Sequence, residues 1–246
     1  MNVPEFEFDE VFGDDYLYFD GPALVQSSDA DAALVWRLLE GSAASEILDL
    51  ACGHGRIANR LAGLGAKVTG LDATPVFLER ARADAAARGV GVDYVQGDMR
   101  SLPWSDATFE CVISWFTSFG YFDDDDNRRV LAEVRRVLRP GGRLLLENNN
   151  LSGVLGRWLP SVVFERDGDL AIDRARFDPT TGRARTERTV IRDGQVRTFV
   201  FSVRMFIAVE LRAWLLEAGF SDVAFFDERG EPLTSGARRM VTIATA

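Results

Sequence analysis

Short apolar runs and amphipathic stretches take turns along most of this chain. Ile47-Leu48-Asp49-Leu50-Ala51-Cys52 runs straight into Gly53-His54-Gly55, and Val68-Thr69-Gly70-Leu71 ends on Asp72. Val92-Asp93-Tyr94-Val95 ends at Gln96-Gly97-Asp98, Phe109-Glu110-Cys111-Val112-Ile113-Ser114 at Trp115, and Arg143-Leu144-Leu145-Leu146-Glu147 follows the turn signal Arg139-Pro140-Gly141-Gly142. Between these runs the periodicity predicts helices over residues 29–39, with Ser28 or Asp29 as cap, and over 56–64, 75–88 and 128–138. Thr74 precedes Pro75 as a cap with proline in the first turn. Residues 10–20 read as a loose aromatic segment. Apolar strands separated by helices predict βαβ units and a parallel sheet.

Between residues 151 and 206 the pattern changes to short alternating runs broken by Asp178-Pro179-Thr180-Thr181-Gly182 and Asp193-Gly194, which are hairpin signals. Phe199, Phe201, Val203 and Met205 fall on one face of the last run, with Thr198, Ser202 and Arg204 on the other. The segment predicts an inserted antiparallel β cap that covers an acceptor site or forms a dimer contact. It holds ten arginines against seven acidic residues, a local excess that suits an anionic acceptor or an exposed strand that avoids edge pairing. A helix over 209–218, a strand over 223–226 and a last strand Arg239-Met240-Val241-Thr242-Ile243-Ala244 follow.

Composition narrows the partners. At 246 residues and 47% hydrophobic content, the chain supports one α/β domain over 1–246 with the insertion at 151–206. A formal charge of -10 argues against nucleic acid, whose phosphates attract clustered lysine and arginine. The opening Met1-Asn2-Val3-Pro4-Glu5-Phe6-Glu7 is acidic where a secretory leader is basic and then apolar, and no run approaches the roughly 20 apolar residues of a membrane span. These features predict a soluble cytoplasmic protein, monomer or homodimer. Cys52 and Cys111 fall in apolar strands, as buried thiols do.

The glycines after the first strand admit backbone amides close to a ligand, and Asp72, seventeen residues after Gly55, stands where a carboxylate accepts both hydroxyls of a ribose. Nicotinamide redox and methyl transfer share this layout, and Gly53-x-Gly55-x-x-Ala58 even satisfies the dinucleotide fingerprint. A second acidic tip, Asp98, suits an adenine amino group. The order of strands, the two tips and Leu138-Arg139-Pro140-Gly141-Gly142 before the fifth strand together resemble the class I S-adenosylmethionine-dependent methyltransferases, small-molecule branch. The resemblance covers about residues 30–150 and 207–246. It implies a Rossmann-like three-layer α/β sandwich, its mostly parallel seven-stranded sheet closed by one antiparallel strand. It implies S-adenosylmethionine as cofactor and S-adenosylhomocysteine as product, with transfer to nitrogen or oxygen of a small acceptor and no metal. It also implies cofactor contacts from Tyr18, Asp49, Ala51, Gly53, Asp72, Ala73, Asp98, Met99 and Ser114. The family usually has glycine where this chain has Ala51 and Arg56.

Catalytic candidates are few. His54 is the only histidine, but a side chain between two loop glycines is expected to point away from the ligand. Tyr18, with Tyr16 beside it, either folds over the cofactor or anchors the amino-terminal segment, and Glu147 ends the fifth strand on the acceptor side. Five aromatics crowd residues 115–122, and Trp115, Phe119 and Tyr121 are expected in the acceptor pocket together with Asn148 and Arg204. The acidic run Asp123-Asp124-Asp125-Asp126 precedes a helix, where carboxylates favour the dipole. The alternatives are a nicotinamide oxidoreductase and a module that binds the cofactor without transferring its methyl.

Overall fold

The computed structural model describes residues 11–41 and 45–246, so the acidic opening of the chain, residues 1–7, lies outside the described residues. In chain order, α1 (Asp14–Phe19) and α2 (Gly21–Leu38) lead into β1 (Glu46–Leu50), α3 (Ala58–Gly63), β2 (Lys67–Asp72), α4 (Pro75–Arg88) and β3 (Val92–Gln96). Then come β4 (Phe109–Ser114), α5 (Asp124–Val137), β5 (Leu138–Asn149) and a short α6 (Leu151–Leu155). Next are β6 (Ser161–Arg166), β7 (Asp169–Asp178), β8 (Arg183–Arg192) and β9 (Gln195–Arg204), followed by α7 (Ala208–Glu217), β10 (Ser221–Phe226) and β11 (Arg239–Thr245).

Seven strands form one sheet in the order β10-β11-β5-β4-β1-β2-β3. β1, β2, β3, β4 and β5 pair in parallel, and β11 runs antiparallel to both β5 and β10. Successive strand residues point to opposite faces, which separates two cores. Leu48, Leu50, Val112, Leu144 and Leu146 pack with Val130, Leu131 and Val134 of α5 and with Leu211 and Leu215 of α7. Ile47, Ile113, Leu145 and Val241 pack with Val35 of α2, Leu61 of α3 and Leu78 and Ala81 of α4. The result is the three-layer sandwich that the family resemblance implies. The strand order reverses between β1 and β4, so a crevice opens beyond their carboxyl ends.

The second sheet is an antiparallel meander, β6-β7-β8-β9. Its β8–β9 turn puts Asp193 and Gly194 at φ +51° and +72°, the left-handed pair a two-residue hairpin needs. Several element boundaries differ from the sequence reading, among them the fifth strand, which begins at Leu138 and takes in the Arg139-Pro140-Gly141-Gly142 turn signal. Part of the loose aromatic segment is helical, as α1. α2 begins at Gly21, with a proline in its first turn, and the Ser28 hydroxyl bonds back to the Leu24 carbonyl at 2.6 Å, so Ser28 sits mid-helix and caps nothing. α5 starts at Asp124, capped by the Asp123 carboxylate, which accepts from the Asp126 amide at 2.8 Å.

Candidate active site

The loop after β1 owes its shape to three left-handed residues, Ala51, Gly53 and Gly55, at φ +55°, +54° and +75°. At Gly55 a side chain has no room: a Cβ there stands 2.2 Å from the Tyr94 hydroxyl. That hydroxyl is fixed by donating to Asn59 at 2.7 Å, while Asn59 donates to the Ala81 carbonyl and to Asp84. The loop therefore rests on a buried polar network beneath it. Its other support is Asp72, which accepts from the Gly53 amide at 2.7 Å and from the Thr74 amide at 2.9 Å. Burial raises the Asp72 carboxyl above the ordinary range, and these amides pull it back.

Beyond these strand ends lies a cavity of about 690 Å³, within the usual size range of small-molecule sites. Ala51, Gly53, His54, Asp72, Ala73, Asp98 and Met99 line one part of it. Trp115 and Tyr121 border it after β4, and Tyr16 and Phe12 approach from the amino-terminal side. The second sheet supplies the opposite wall at alternate positions, Ala184, Thr186 and Arg188 of β8 and Phe201 and Val203 of β9, with Met205 just beyond. That face is the one the alternation of the last insertion strand picks out, apart from Phe199, which is not among the lining residues.

Several predicted site residues stand elsewhere. Tyr18 is not in the lining: its hydroxyl donates to the Arg166 carbonyl at 3.2 Å and its ring lies between Arg166 and Arg192, 4.3 and 4.1 Å from the guanidinium carbons. Tyr16, two positions earlier on α1, enters the cavity instead. Phe119 is core, stacked on Phe206 with centroids 5.5 Å apart. Asn148 donates to the Phe119 carbonyl at 3.2 Å under the sheet edge, and its neighbour Asn149 borders the cavity. Arg204 lies outside, paired with Glu210, donating to the Met205 carbonyl at 2.7 Å and sitting 5.1 Å from the Phe206 ring. Asp49 and Ser114 are buried beneath the lining at 2% exposure each. Arg56, Arg188, Arg239 and Trp158 border the cavity without having been singled out as contacts in the sequence. Only the unusual arginine at 56 left a signal.

Electrostatics sorts the candidates further. Burial lowers His54 to about 4, and nearby arginines add to the effect, so its imidazole is neutral at pH 7 and a poor base. Glu147 is paired with Arg239 and also accepts from the Phe116 amide at 2.6 Å. It holds the turn where Phe116 and Thr117 both take left-handed φ, +68° and +56°, a strained pair directly past β4. Burial raises Asp98, but the Arg100 hydrogen bonds outweigh it and hold the carboxylate below its ordinary range. Among the described residues no cluster of histidine, cysteine, aspartate or glutamate could hold a metal, and no helix is long and apolar enough to cross a membrane.

Asp49 gives a pH test of the loop. Burial pushes its carboxyl up to about 7, against the pull of Arg56 and the Ala58 amide, while the unfolded group titrates near ~4. The folded state thus keeps a proton that the unfolded state loses, and wild-type stability falls as pH rises between those values. Asp49→Asn removes this dependence. Its melting temperature relative to wild type should climb by several degrees between pH 4.5 and pH 8, on the order of 2 to 4 kcal/mol. A difference that stays flat across that range means Asp49 is ionised in the fold.

The cavity fits an adenosyl cofactor on its own features. Asp72 borders it at the end of β2, and the left-handed Ala51-x-Gly53-x-Gly55 loop brings backbone to its edge. A family profile described as a methyltransferase domain matches residues 47–142. The ubiquinone/menaquinone biosynthesis C-methyltransferase UbiE of Cronobacter sakazakii is 32% identical over 194 residues, 75% of this chain and 70% of that protein. Other curated relatives, from Mycobacterium and Thermus species, match over 47% of the chain, which spans only 41% to 54% of their length. Among solved structures, the CcbJ methyltransferase from Streptomyces caelestis superposes with a TM-score of 0.75 at 24% identity, covering 89% of this chain and 90% of that one. CalS10 from Micromonospora echinaspora, described as an S-adenosylmethionine-bound amino pentose methyltransferase, superposes at 0.60 with 25% identity, covering 93% and 91%. With these relatives the nicotinamide reading of the glycine fingerprint falls away, and the chain belongs to the class I S-adenosylmethionine-dependent methyltransferases.

Proposed function

We propose that this protein methylates nitrogen or oxygen of a small molecule held between the strand ends of the large sheet and the β cap, an amine nitrogen being favoured. One observation carries this reading: a single cavity joins the glycine loop and the acidic tips to the inner face of the second sheet. When bound, S-adenosylmethionine supplies a methyl group already activated on a sulfonium. Asp72 would take the ribose hydroxyls, Asp98 and the Met99 amide the adenine edge, Ala73 and Met99 the ring faces, and Ala51 and Gly53 the methionyl arm. Asp49 and Ser114 would support this shell from below. Trp115 and Tyr121 would wall the acceptor side with Phe201 and Val203. Such walls exclude water and hold the acceptor in line, and alignment of that kind contributes roughly 7 to 11 kcal/mol.

The preference for an amine follows from the groups at the cavity. His54 is held far below neutrality, Glu147 is tied to Arg239, and burial pushes the Tyr121 phenol up to about 12 and the Tyr16 phenol higher still. A neutral amine attacks as it is, whereas an alcohol must first lose a proton. The description of CalS10 as an amino pentose methyltransferase favours the same class. The Cronobacter relative is named as a C-methyltransferase, which favours carbon as a second reading.

Calorimetry with S-adenosylhomocysteine should give saturable binding, and labelled S-adenosylmethionine with a panel of amino sugars, amines and phenols should give a methylated product whose methyl position is read by NMR. For an amine acceptor the rate should rise with pH through the acceptor's own ammonium pKa, with no limb near 6.5 from His54. No binding of S-adenosylhomocysteine refutes the proposal. Binding without turnover on any acceptor leaves a cofactor-holding module.

A further inference from the structure

We propose that the acceptor is a neutral aromatic amine whose flat apolar body sits in a hollow on the inner face of the second sheet, an assignment that rests on the cofactor placement proposed above. Strand register shapes the hollow. Across β7, β8 and β9, Phe177, Ala184 and Val203 stand in one row and Ala175, Thr186 and Phe201 in the next. Two phenyl rings thus occupy opposite corners of a patch whose middle is small. Alanine is depleted in strands because it leaves a pleated surface unfilled, yet Ala175 and Ala184 both line the cavity, with Thr186 beside them. Two more aromatic side chains of the lining pack at the phenyl corners: Tyr121 meets Phe201 with centroids 6.4 Å apart, and Trp158 meets Phe177 at 6.2 Å. A ring system entering there finds aromatic groups at two sides and small side chains beneath, which rewards both area and edge contacts.

Charge on this side is absent or already paired. Of the four arginines that line the cavity, Arg56 pairs with Asp31, Arg100 with Asp98 and Asp126, Arg188 with Asp20 and Asp173, and Arg239 with Glu147. The carboxylates in the described lining, Asp72 and Asp98, lie at the strand ends assigned to the cofactor. On the second sheet, Thr186 supplies the one uncharged polar side chain of the lining. An anionic acceptor would therefore find no free cation among the described residues and an ammonium no free carboxylate, while the several hydroxyls of an amino sugar would meet a single one on the sheet. Polar or charged groups buried without partners weaken a complex. An aromatic amine avoids each of these costs. Its nitrogen is already unprotonated at neutral pH, so it attacks the methyl without a base.

Four probes matched against this chemistry test it by calorimetry on protein saturated with S-adenosylhomocysteine: 1-aminonaphthalene, 1-(aminomethyl)naphthalene, 1-naphthoate and glucosamine. Wild type should bind 1-aminonaphthalene about tenfold or more tighter than each of the others. With labelled S-adenosylmethionine the same probe should be N-methylated at a rate that stays flat between about pH 6.5 and pH 9, since no proton need be lost in that window. Ala184→Phe, which fills the hollow, should weaken 1-aminonaphthalene by about tenfold and leave S-adenosylhomocysteine within about twofold. A wild type that prefers the ammonium, the carboxylate or the sugar overturns the proposal, as does undiminished binding of 1-aminonaphthalene to Ala184→Phe. Should that variant not fold, the ranking of the four probes on wild type decides by itself. Binding of S-adenosylhomocysteine with none of the four probes bound refutes the acceptor class and leaves the cofactor site standing, whereas no binding of S-adenosylhomocysteine removes the placement on which both depend.

Discussion

Asp72→Ala should weaken S-adenosylhomocysteine binding by about 10- to 100-fold, roughly 1.5 to 3 kcal/mol, when measured by calorimetry. Two losses combine. The carboxylate would no longer accept from the ribose hydroxyls, and it would no longer hold the Gly53 and Thr74 amides, whose bonds of 2.7 and 2.9 Å fix the glycine loop against the start of α4. Asp72→Asn separates them, because one amide oxygen can still accept from Gly53 while the charge is gone. Its affinity should fall between wild type and the alanine variant. Methylthioadenosine, which keeps the ribose, should lose as much as S-adenosylhomocysteine does. Unchanged affinity in Asp72→Ala would put the ribose elsewhere.

The strand ends were legible because they follow from local pattern. An apolar run that meets glycines, and a second and third that end on aspartate, place Ala51, Gly53, Asp72 and Asp98 on one sheet edge in any doubly wound order, and all four border the cavity. The acceptor side was less legible because its residues are selected by distant partners. Phe119 and Tyr121 are two positions apart in one aromatic run, yet Phe206, 87 residues on, draws Phe119 into the core while Tyr121 borders the cavity. Arg204 reads as the polar face of a strand, but Glu210 on α7 pairs with it and the Phe206 ring covers it.

That Tyr16 and not Tyr18 borders the cavity was hidden for a different reason. On a helix, residues two apart point to nearly opposite faces, so the segment's conformation had to be known before its face could be chosen. α1 turns Tyr16 toward Phe77 and the cavity and leaves Tyr18 between two cap arginines. Those arginines, with Arg188, belong to the basic excess of the insertion. Arg188 pairs with Asp20, between α1 and α2, and Arg192 and Arg197 pair with Asp15 of α1. Much of the excess that suggested an anionic acceptor is thus met within the chain.

Arg188→Met should therefore destabilise the protein by about 2 to 4 kcal/mol, seen as a fall of several degrees or more in melting temperature. Arg188 is buried and holds Asp173 through two bonds of 2.6 and 2.7 Å while reaching Asp20 at 3.0 Å, so it ties the junction of α1 and α2 to the second sheet. Removing it leaves two largely buried carboxylates without a cation, and that exposed penalty, more than the lost attraction, sets the size of the effect. The sign with pH follows. Burial already holds Asp20 above the ordinary carboxylate range against the pull of Arg188, and without the arginine it should rise further. A carboxyl whose folded pKa exceeds its unfolded one is a cost that appears as pH rises through that window. The gap between variant and wild type should then be widest at pH 7 and narrow toward pH 4, and a gap independent of pH would assign the loss to packing alone. Replacing Asp20 and Asp173 by leucine in the Arg188→Met background should recover much of the stability, since an apolar trio needs no partners. In the same variants the acceptor KM should rise while S-adenosylhomocysteine affinity stays near wild type, because the network holds the second sheet and none of the strand ends proposed to hold the adenosyl group.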